Sequence, residues 1–198
     1  YNKKITINIT TRNKMSRNFS PVTKKVLLLL SGGIALGVAR SPNTYFRVIK
    51  EVSQEWKKIN NKKLNESIKT LYRSKLISAV EDENGILTMI LNDAGKKKVL
   101  VYQLDDIKIE KPKRWDGLWR VIAFDIPEKH RKAREALRGK LRELGFYQLQ
   151  KSILVLPYEC KNEIDFIIEF FQIRPWVRYM IVKDIDNSLH LKKLFDLI

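Results

Sequence analysis

The segment from Leu118 to Val182 constrains the fold more than any other part of the chain. An apolar run, Leu118–Phe124, stops at Asp125, and Pro127 begins a basic helical stretch that ends at Gly145. A strand pair, a second helix and a last strand then follow in the sequences FYQLQKSILVLP, NEIDFIIEFFQI and VRYMIVKDI. This β-α-β-β-α-β order predicts a ferredoxin-like domain.

Four short motifs within this segment resemble those of a known family. They are Trp119-Arg120, Phe124-Asp125-Ile126-Pro127-Glu128, Leu144-Gly145-Phe146 and the strand Ser152–Pro157, all within residues 115–186. They resemble the Cas2-like domain in the version that PaaX-type transcriptional repressors carry. The resemblance implies a DNA-binding regulator. Through the CRISPR-associated nuclease relatives, it also leaves open a metal-dependent nuclease or an adaptation-type subunit.

The first half of the chain has the element order of a winged helix-turn-helix. The sequence predicts a buried first helix over Val22–Ala39, a second helix from Pro42, and a third in KKLNESIKTLYRSKLI that begins at an Asn60 cap. Asn84-Gly85 between two apolar runs predicts a β-hairpin. Three helices before a hairpin are typical of a winged helix, whose third helix enters the major groove. PaaX-type repressors carry such a module ahead of the Cas2-like domain, so the resemblance implies one here.

These elements predict an α+β chain in three parts. Residues 1–20 form a basic arm, residues 21–111 a winged-helix DNA-binding domain, and residues 112–198 a ferredoxin-like, Cas2-like dimerisation domain. The predicted helix over Glu163–Ile173 is apolar almost throughout, which indicates an interface with the winged helix or with a second subunit. Together with the symmetric habit of the family, this predicts a homodimer.

The charge of the chain indicates a polyanionic partner. It has 39 Lys and Arg residues against 22 Asp and Glu, a formal net charge of +17, and residues 1–50 contain no acidic residue. Such an excess favours nucleic acid first, here double-stranded DNA, and an acidic membrane surface second. The apolar segment VLLLLSGGIALGVA has only 14 residues. That is too short to span a bilayer as a helix, so no membrane partner is expected.

Two basic helical faces are the candidate DNA-binding surfaces. Lysines and arginines there neutralise phosphates, while Asn suits adenine and Arg suits guanine. The candidate residues are Lys62, Lys63, Asn65, Lys69 and Arg73 on the third helix, and Arg131, Arg134 and Arg138 on the helix after Asp125. The arginines could instead pair with acids of a partner chain. The simpler interpretation of both faces is a solvated helix surface with local ion pairs.

Asp125 has two competing interpretations. In the resembling nuclease family, an aspartate ends the first strand, and two copies facing each other across a homodimer hold one divalent cation. The resemblance therefore implies a possible Mg²⁺ or Mn²⁺ site that activates water for phosphodiester cleavage. Alternatively, Asp125 caps the helix that Pro127 and Glu128 begin. We favour the cap and expect no catalytic residue, because no second metal ligand or general base lies nearby in the sequence.

The remaining signals bound the location and the cofactors. Cys160 is the only cysteine, so no intrachain disulfide can form, which predicts a reducing, cytoplasmic location. His130 and His190 lie far apart in the sequence, which argues against zinc. No Gly-rich phosphate loop indicates a coenzyme, so no cofactor is expected and the effector is unassigned. Nucleic-acid binding without sequence preference is a third function class, which selection from random DNA would separate from regulation.

Overall fold

The described part of the chain forms two compact units. The computed structural model describes residues 19–32, 36–39, 47–48, 58–81, 83 and 86–198. The two units divide between Gln103 and Leu104. The predicted basic arm and most of the predicted second helix lie outside the described residues. Within these ranges no helix is long and apolar enough to cross a membrane.

The first unit combines three described helices with one antiparallel sheet. The helices are α1 (Pro21–Ser31), α2 (Asn61–Arg73) and α3 (Asp93–Asp106), and the last three residues of α3 belong to the second unit. The strands are β1 (Leu36–Ala39), β2 (Arg47–Val48), β3 (Ile77–Glu81) and β4 (Ile86–Leu91). The sheet order is β2-β1-β4-β3. The predicted hairpin is confirmed, because β3 pairs antiparallel with Leu87–Leu91 of β4.

The third predicted helix is confirmed as α2, and it buries an apolar stripe. Leu64, Ile68 and Leu71 are fully buried against residues of α1, β4 and α3. The predicted cap is present, since the Asn60 side chain accepts hydrogen bonds from the amides of the first turn. This satisfies donors that the helix leaves unpaired at its start.

Two predictions for the first half are wrong in detail. The first helix does not run to Ala39: it ends at Ser31, and Leu36–Ala39 is a strand that pairs with β4. The two glycines that follow Ser31 in the sequence disfavour further helix. The second predicted helix cannot cover Arg47–Val48, because these two residues form the short strand β2.

The start of α3 is tied to the end of α2. The Asn92 side chain accepts from the Gly95 amide at 2.9 Å and donates to the Lys75 carbonyl at 2.7 Å. Gly95 lies so close to this segment that a Cβ atom there would be 2.0 Å from the Leu76 carbonyl oxygen. A side chain is therefore excluded at Gly95 unless the backbone moves.

The second unit confirms the predicted β-α-β-β-α-β order. Its strands are β5 (Trp119–Phe124), β6 (Tyr147–Gln150), β7 (Ile153–Leu156) and β8 (Val177–Val182), and its helices are α4 (Arg131–Glu143), α5 (Lys161–Phe171) and α6 (Ser188–Leu194). The sheet is antiparallel with the order β6-β7-β5-β8. This is the ferredoxin-like topology, so the chain is an α+β protein as predicted.

Both faces of this sheet are covered. On one face, Ile122 and Leu154 pack with buried residues of α4 and α5. On the other face, the fully buried Trp119 packs in a separate cluster with Leu191 of α6, and its ring lies 4.9 Å from that of Trp115. The apolar character of α5 is accounted for largely within the unit, because Ile164, Ile167, Ile168 and Phe171 are buried.

Arg120 is a buried cation in the same sheet. It is 3% exposed, and its guanidinium hydrogen-bonds to the carboxylates of Asp116 and Glu159 and to the carbonyls of Leu118 and Pro157. The bond from Arg120 lowers the pKa of Asp116. Burial opposes the same effect at Glu159, but Arg120 still lowers the pKa of that carboxyl. Arg120 therefore holds the loop before β5 against the start of α5.

Candidate nucleic-acid interface

Helix α2 presents a basic surface opposite its buried stripe. Lys62, Lys63 and Arg73 are exposed, and Asn65 and Lys69 are half-buried. Glu66 is the one acidic residue of this helix and is also exposed. The predicted residues of the third helix therefore lie on one solvent-facing element and can contact a polyanion together.

Sequence reasoning missed an aromatic residue on this surface. Tyr72 is 48% exposed beside Arg73. Its position in the sequence, next to the buried Leu71, gives the signal, because consecutive residues of a helix point about 100° apart. Asn65 has a second property that the sequence does not show: its Oδ1 atom is buried and has no hydrogen-bond partner. Tyr72 therefore adds to the candidate surface, whereas the Oδ1 atom of Asn65 is not accessible to a ligand there.

The arginines of α4 do not form a second free surface. Arg138 is buried, and its guanidinium donates to Glu135 and to the Lys151 carbonyl. Arg134 donates to the Ile126 carbonyl and to Glu128, and its hydrogen bond lowers the pKa of the Glu128 carboxyl. Of the three candidate arginines, only Arg131, whose side chain is 71% exposed, keeps the solvent access that a phosphate contact needs. The interface below therefore does not include Arg134 and Arg138.

Asp125 lies in an open groove at the end of β5. The groove has a volume of about 720 Å³, and its lining includes Asp125, Lys151, Trp176 and Arg178. The Asp125 amide donates to the Trp176 carbonyl at 2.9 Å, which fixes the backbone at this point. The Asp125 side chain is exposed. It is therefore accessible to solvent in a groove that is also lined by two positively charged side chains, those of Lys151 and Arg178.

The predicted helix cap by Asp125 is wrong. A 3₁₀ turn, Glu128–His130, separates Asp125 from α4, and neither this turn nor α4 has a side-chain cap. The turn is held instead by the His130 amide, which donates to the Pro127 carbonyl, and by stacking of the His130 ring 4.7 Å from that of Trp176. Because the turn moves the α-helix start to Arg131, the Asp125 carboxylate is too far along the chain to satisfy its amides.

The residues present in one chain do not fit a divalent cation at Asp125. Mg²⁺ and Mn²⁺ prefer several oxygen ligands. Across the described part of the chain, no three His, Cys, Asp or Glu residues cluster in a way that could hold a metal. The cationic side chains of Lys151 and Arg178 share the groove and would repel a metal ion. We therefore derive no catalytic step through a metal.

We expect the free energies of unfolding of Asp125→Asn and Asp125→Ala to lie within about 0.5 kcal/mol of the wild-type value. The reason is that an exposed carboxylate that caps no helix contributes little to stability. We also expect Mg²⁺ to leave the melting temperature unchanged in all three proteins. Differential scanning fluorimetry with and without Mg²⁺ measures both effects. A Mg²⁺-dependent rise in the wild type that disappears in Asp125→Asn would instead establish a metal site.

The second unit matches a known family model. Residues 112–192 match a family model described as the PaaX protein central Cas2-like domain. This range covers every strand of the second sheet and confirms the resemblance that the sequence motifs indicate. No curated protein sequence matches the chain.

Proposed function

We propose that this chain, whose residues 112–192 match the model of the PaaX protein central Cas2-like domain, is a DNA-binding transcriptional regulator and acts as a homodimeric repressor. The family match supports regulation in general terms. Binding to double-stranded DNA, repression and dimerisation are the specific parts of the proposal. The observation that carries the DNA-binding part is the exposed basic surface of α2 in a chain of net charge +17.

The arrangement of the first unit supports a winged helix. A helix and a strand come first, α2 precedes the hairpin, and the first strand β1 pairs with the second hairpin strand β4. In a winged helix the strand after the first helix joins the hairpin in this way, and the helix before the hairpin reads the major groove. We therefore assign α2 as the recognition helix.

The hairpin is not proposed as a phosphate contact. Its turn has the sequence Glu81-Asp82-Glu83-Asn84-Gly85, and both glutamates are exposed. Carboxylates at this position would repel the DNA backbone. The lysines and the arginine of α2 therefore carry the electrostatic part of binding, and Arg73 is the residue proposed to reach a base edge as well.

A metal-dependent nuclease is not proposed, because the Asp125 groove does not fit a cation within one chain. Nucleic-acid binding without sequence preference remains an outcome of the decisive experiment, which is selection of bound sites from a random DNA pool. Enrichment of a two-fold related motif supports a dimeric regulator. Recovery of unrelated sequences would reject it. We propose a cytoplasmic location, with which the single, buried Cys160 is consistent.

We expect Lys69→Gln and Arg73→Gln to weaken binding to a selected site and to reduce the log–log salt slope by about one unit each, because each removes a positive charge that displaces counterions from the phosphates. Fluorescence anisotropy at several salt concentrations measures both quantities. The matched control is Glu66→Gln on the same helix, which removes a negative charge and should tighten binding. Unchanged affinity and slope in all three variants would remove α2 from the interface.

A further inference from the structure

Among the described residues, strand β8 is an outer strand of the second sheet, and no described strand pairs with its outer edge. It pairs with β5 on one side. The Asp125 amide bonds to the Trp176 carbonyl, so residue 176 points its backbone toward β5. Because the direction alternates in an antiparallel pair, Val177, Tyr179 and Ile181 point their amides and carbonyls outward. The Val177 carbonyl agrees with this, since it accepts from the Arg178 side chain rather than from β5.

The middle of this edge is apolar and exposed. Met180 is 39% exposed and Ile181 is 53% exposed, and Val182 follows them. Outer strands are usually protected from pairing by a proline, an inward charge or a bulge. β8 contains no proline, its pairing with β5 is regular, and its only charged residue is Arg178 near one end. The edge therefore retains the features that allow another strand to add to it.

We propose that β8 pairs antiparallel with β8 of a second copy of this chain, centred on Ile181, so that the two sheets become one. A strand that pairs with itself about a two-fold axis gives a closed dimer with the same residues on both sides. β8 ends at Val182, so this pairing also extends the strand by Lys183 and Asp184. The outward groups of residues 179, 181 and 183 then face one another, as ladder hydrogen bonds require. This inference specifies the interface of the homodimer in the proposed function and rests on that part of it.

Charge selects the register. Centred on Ile181, the pairing sets Arg178 opposite Asp184 and Met180 opposite Val182 of the second copy, in the positions where opposite side chains approach most closely. Shifting the centre to Met180 would set Arg178 opposite Val182 instead. Both charged residues are exposed. Arg178 uses Nη1 for the Pro175 and Val177 carbonyls, and Asp184 uses Oδ1 for the Ile185 amide. The remaining guanidinium nitrogens and the second carboxylate oxygen have no partner within the described chain.

The first test is a charge exchange in the full-length chain. Arg178→Asp and Asp184→Arg should each weaken the dimer by about tenfold in Kd, because like charges then face each other twice across the interface. The double variant restores opposite charges and should return the Kd to near the wild-type value. Analytical ultracentrifugation over a micromolar concentration series measures each constant. Full dimerisation of both single variants would overturn the register.

The second test is disulfide trapping. Two residues directly opposite each other in such a pair have Cα atoms about 5.5 Å apart, which a disulfide can bridge. Ile181→Cys should therefore form a covalent dimer under mild oxidation. Leu189→Cys, on α6 and 64% exposed, is the matched control and should not. The native Cys160 does not compete, because it is 1% exposed and burial raises the pKa of its thiol to about 12.

The outcomes separate this inference from the function it rests on. A wild-type dimer that Ile181→Cys does not trap, or that Leu189→Cys traps equally well, overturns pairing through β8 and leaves dimerisation intact. A wild-type monomer at micromolar concentration overturns both the interface and the homodimer. DNA binding by α2 is measured separately and is affected by neither result.

Discussion

Gly95→Ala is expected to destabilise the first unit by about 3 kcal/mol, at the upper end of the usual cost of overpacking. The new methyl group would lie 2.0 Å from the Leu76 carbonyl oxygen and 2.9 Å from a methyl of Leu91. The contacted oxygen of Leu76 is a backbone atom in the connection between α2 and β3. It therefore cannot move aside as the end of a flexible side chain can. Either α3 shifts or the hydrogen bonds of Asn92 break. Urea denaturation measures the change.

The control for this experiment is another helical glycine. Gly139 lies on the exposed side of α4, and a Cβ atom there would meet nothing within 4 Å. Gly139→Ala should therefore stabilise the second unit by about 0.5 to 1 kcal/mol, because alanine favours a helix. Opposite signs for two identical substitutions would show that contact rather than helix propensity decides the result at Gly95. Similar small effects would contradict the close approach to Leu76.

Arg120→Met is expected to destabilise the second unit by about 3 kcal/mol, because removing one partner of a buried ion pair leaves the others without compensation. The buried Pro157 carbonyl loses a donor, which adds to the cost. The side chains of Asp116 and Glu159 are 47% and 62% exposed, so both carboxylates can be hydrated after the substitution. The loss of stability is therefore expected near the lower end of the range for breaking a buried ion pair. Thermal and urea unfolding measure it. Arg120→Lys, which keeps the charge but not the planar fork, should recover only part of the stability.

The same network predicts a pH dependence. Arg120 lowers the pKa values of Asp116 and Glu159 in the folded state. A lowered carboxyl pKa contributes stability that is present above the ordinary carboxyl range, about pH 4, and is lost as the pH falls through the folded-state values. The wild type should therefore lose part of its advantage over Arg120→Met below about pH 4. A constant difference from pH 7 to pH 3 would contradict this role of the two carboxylates.

Local sequence patterns predict the features of the fold that depend on neighbouring residues. The element order of the second unit, the cap at Asn60 and the buried stripe of α2 each depend on residues within one or two turns of one another. The features that were missed depend on contacts between distant residues. Arg120 binds Glu159, 39 positions away. At Gly95, the nearby carbonyl of Leu76 leaves no room for a side chain. Neither partner can be identified from spacing alone.

The errors at the candidate site have the same origin. Three arginines at helical spacing are equivalent in the sequence, but Arg138 is held inward by Glu135 and by the carbonyl of Lys151, at the turn between β6 and β7. At Asp125, an acid just before Pro127 matches a helix start, but the 3₁₀ turn that ends at His130 displaces that start. The ring contact between His130 and Trp176 joins residues 46 positions apart, so no local pattern reveals it.

Helix α6 has a consequence for what can reach the second sheet. It closes the face opposite α4 and α5, and it buries Trp119 beneath Leu191. Within residues 104–198, the sheet is therefore the middle layer of three and has no broad open face. A macromolecule that contacts this sheet directly must do so along its outer strands, or it must first displace α6. Displacement of α6 would expose Trp119 to water. The indole fluorescence of this unit would therefore change when a partner displaces α6.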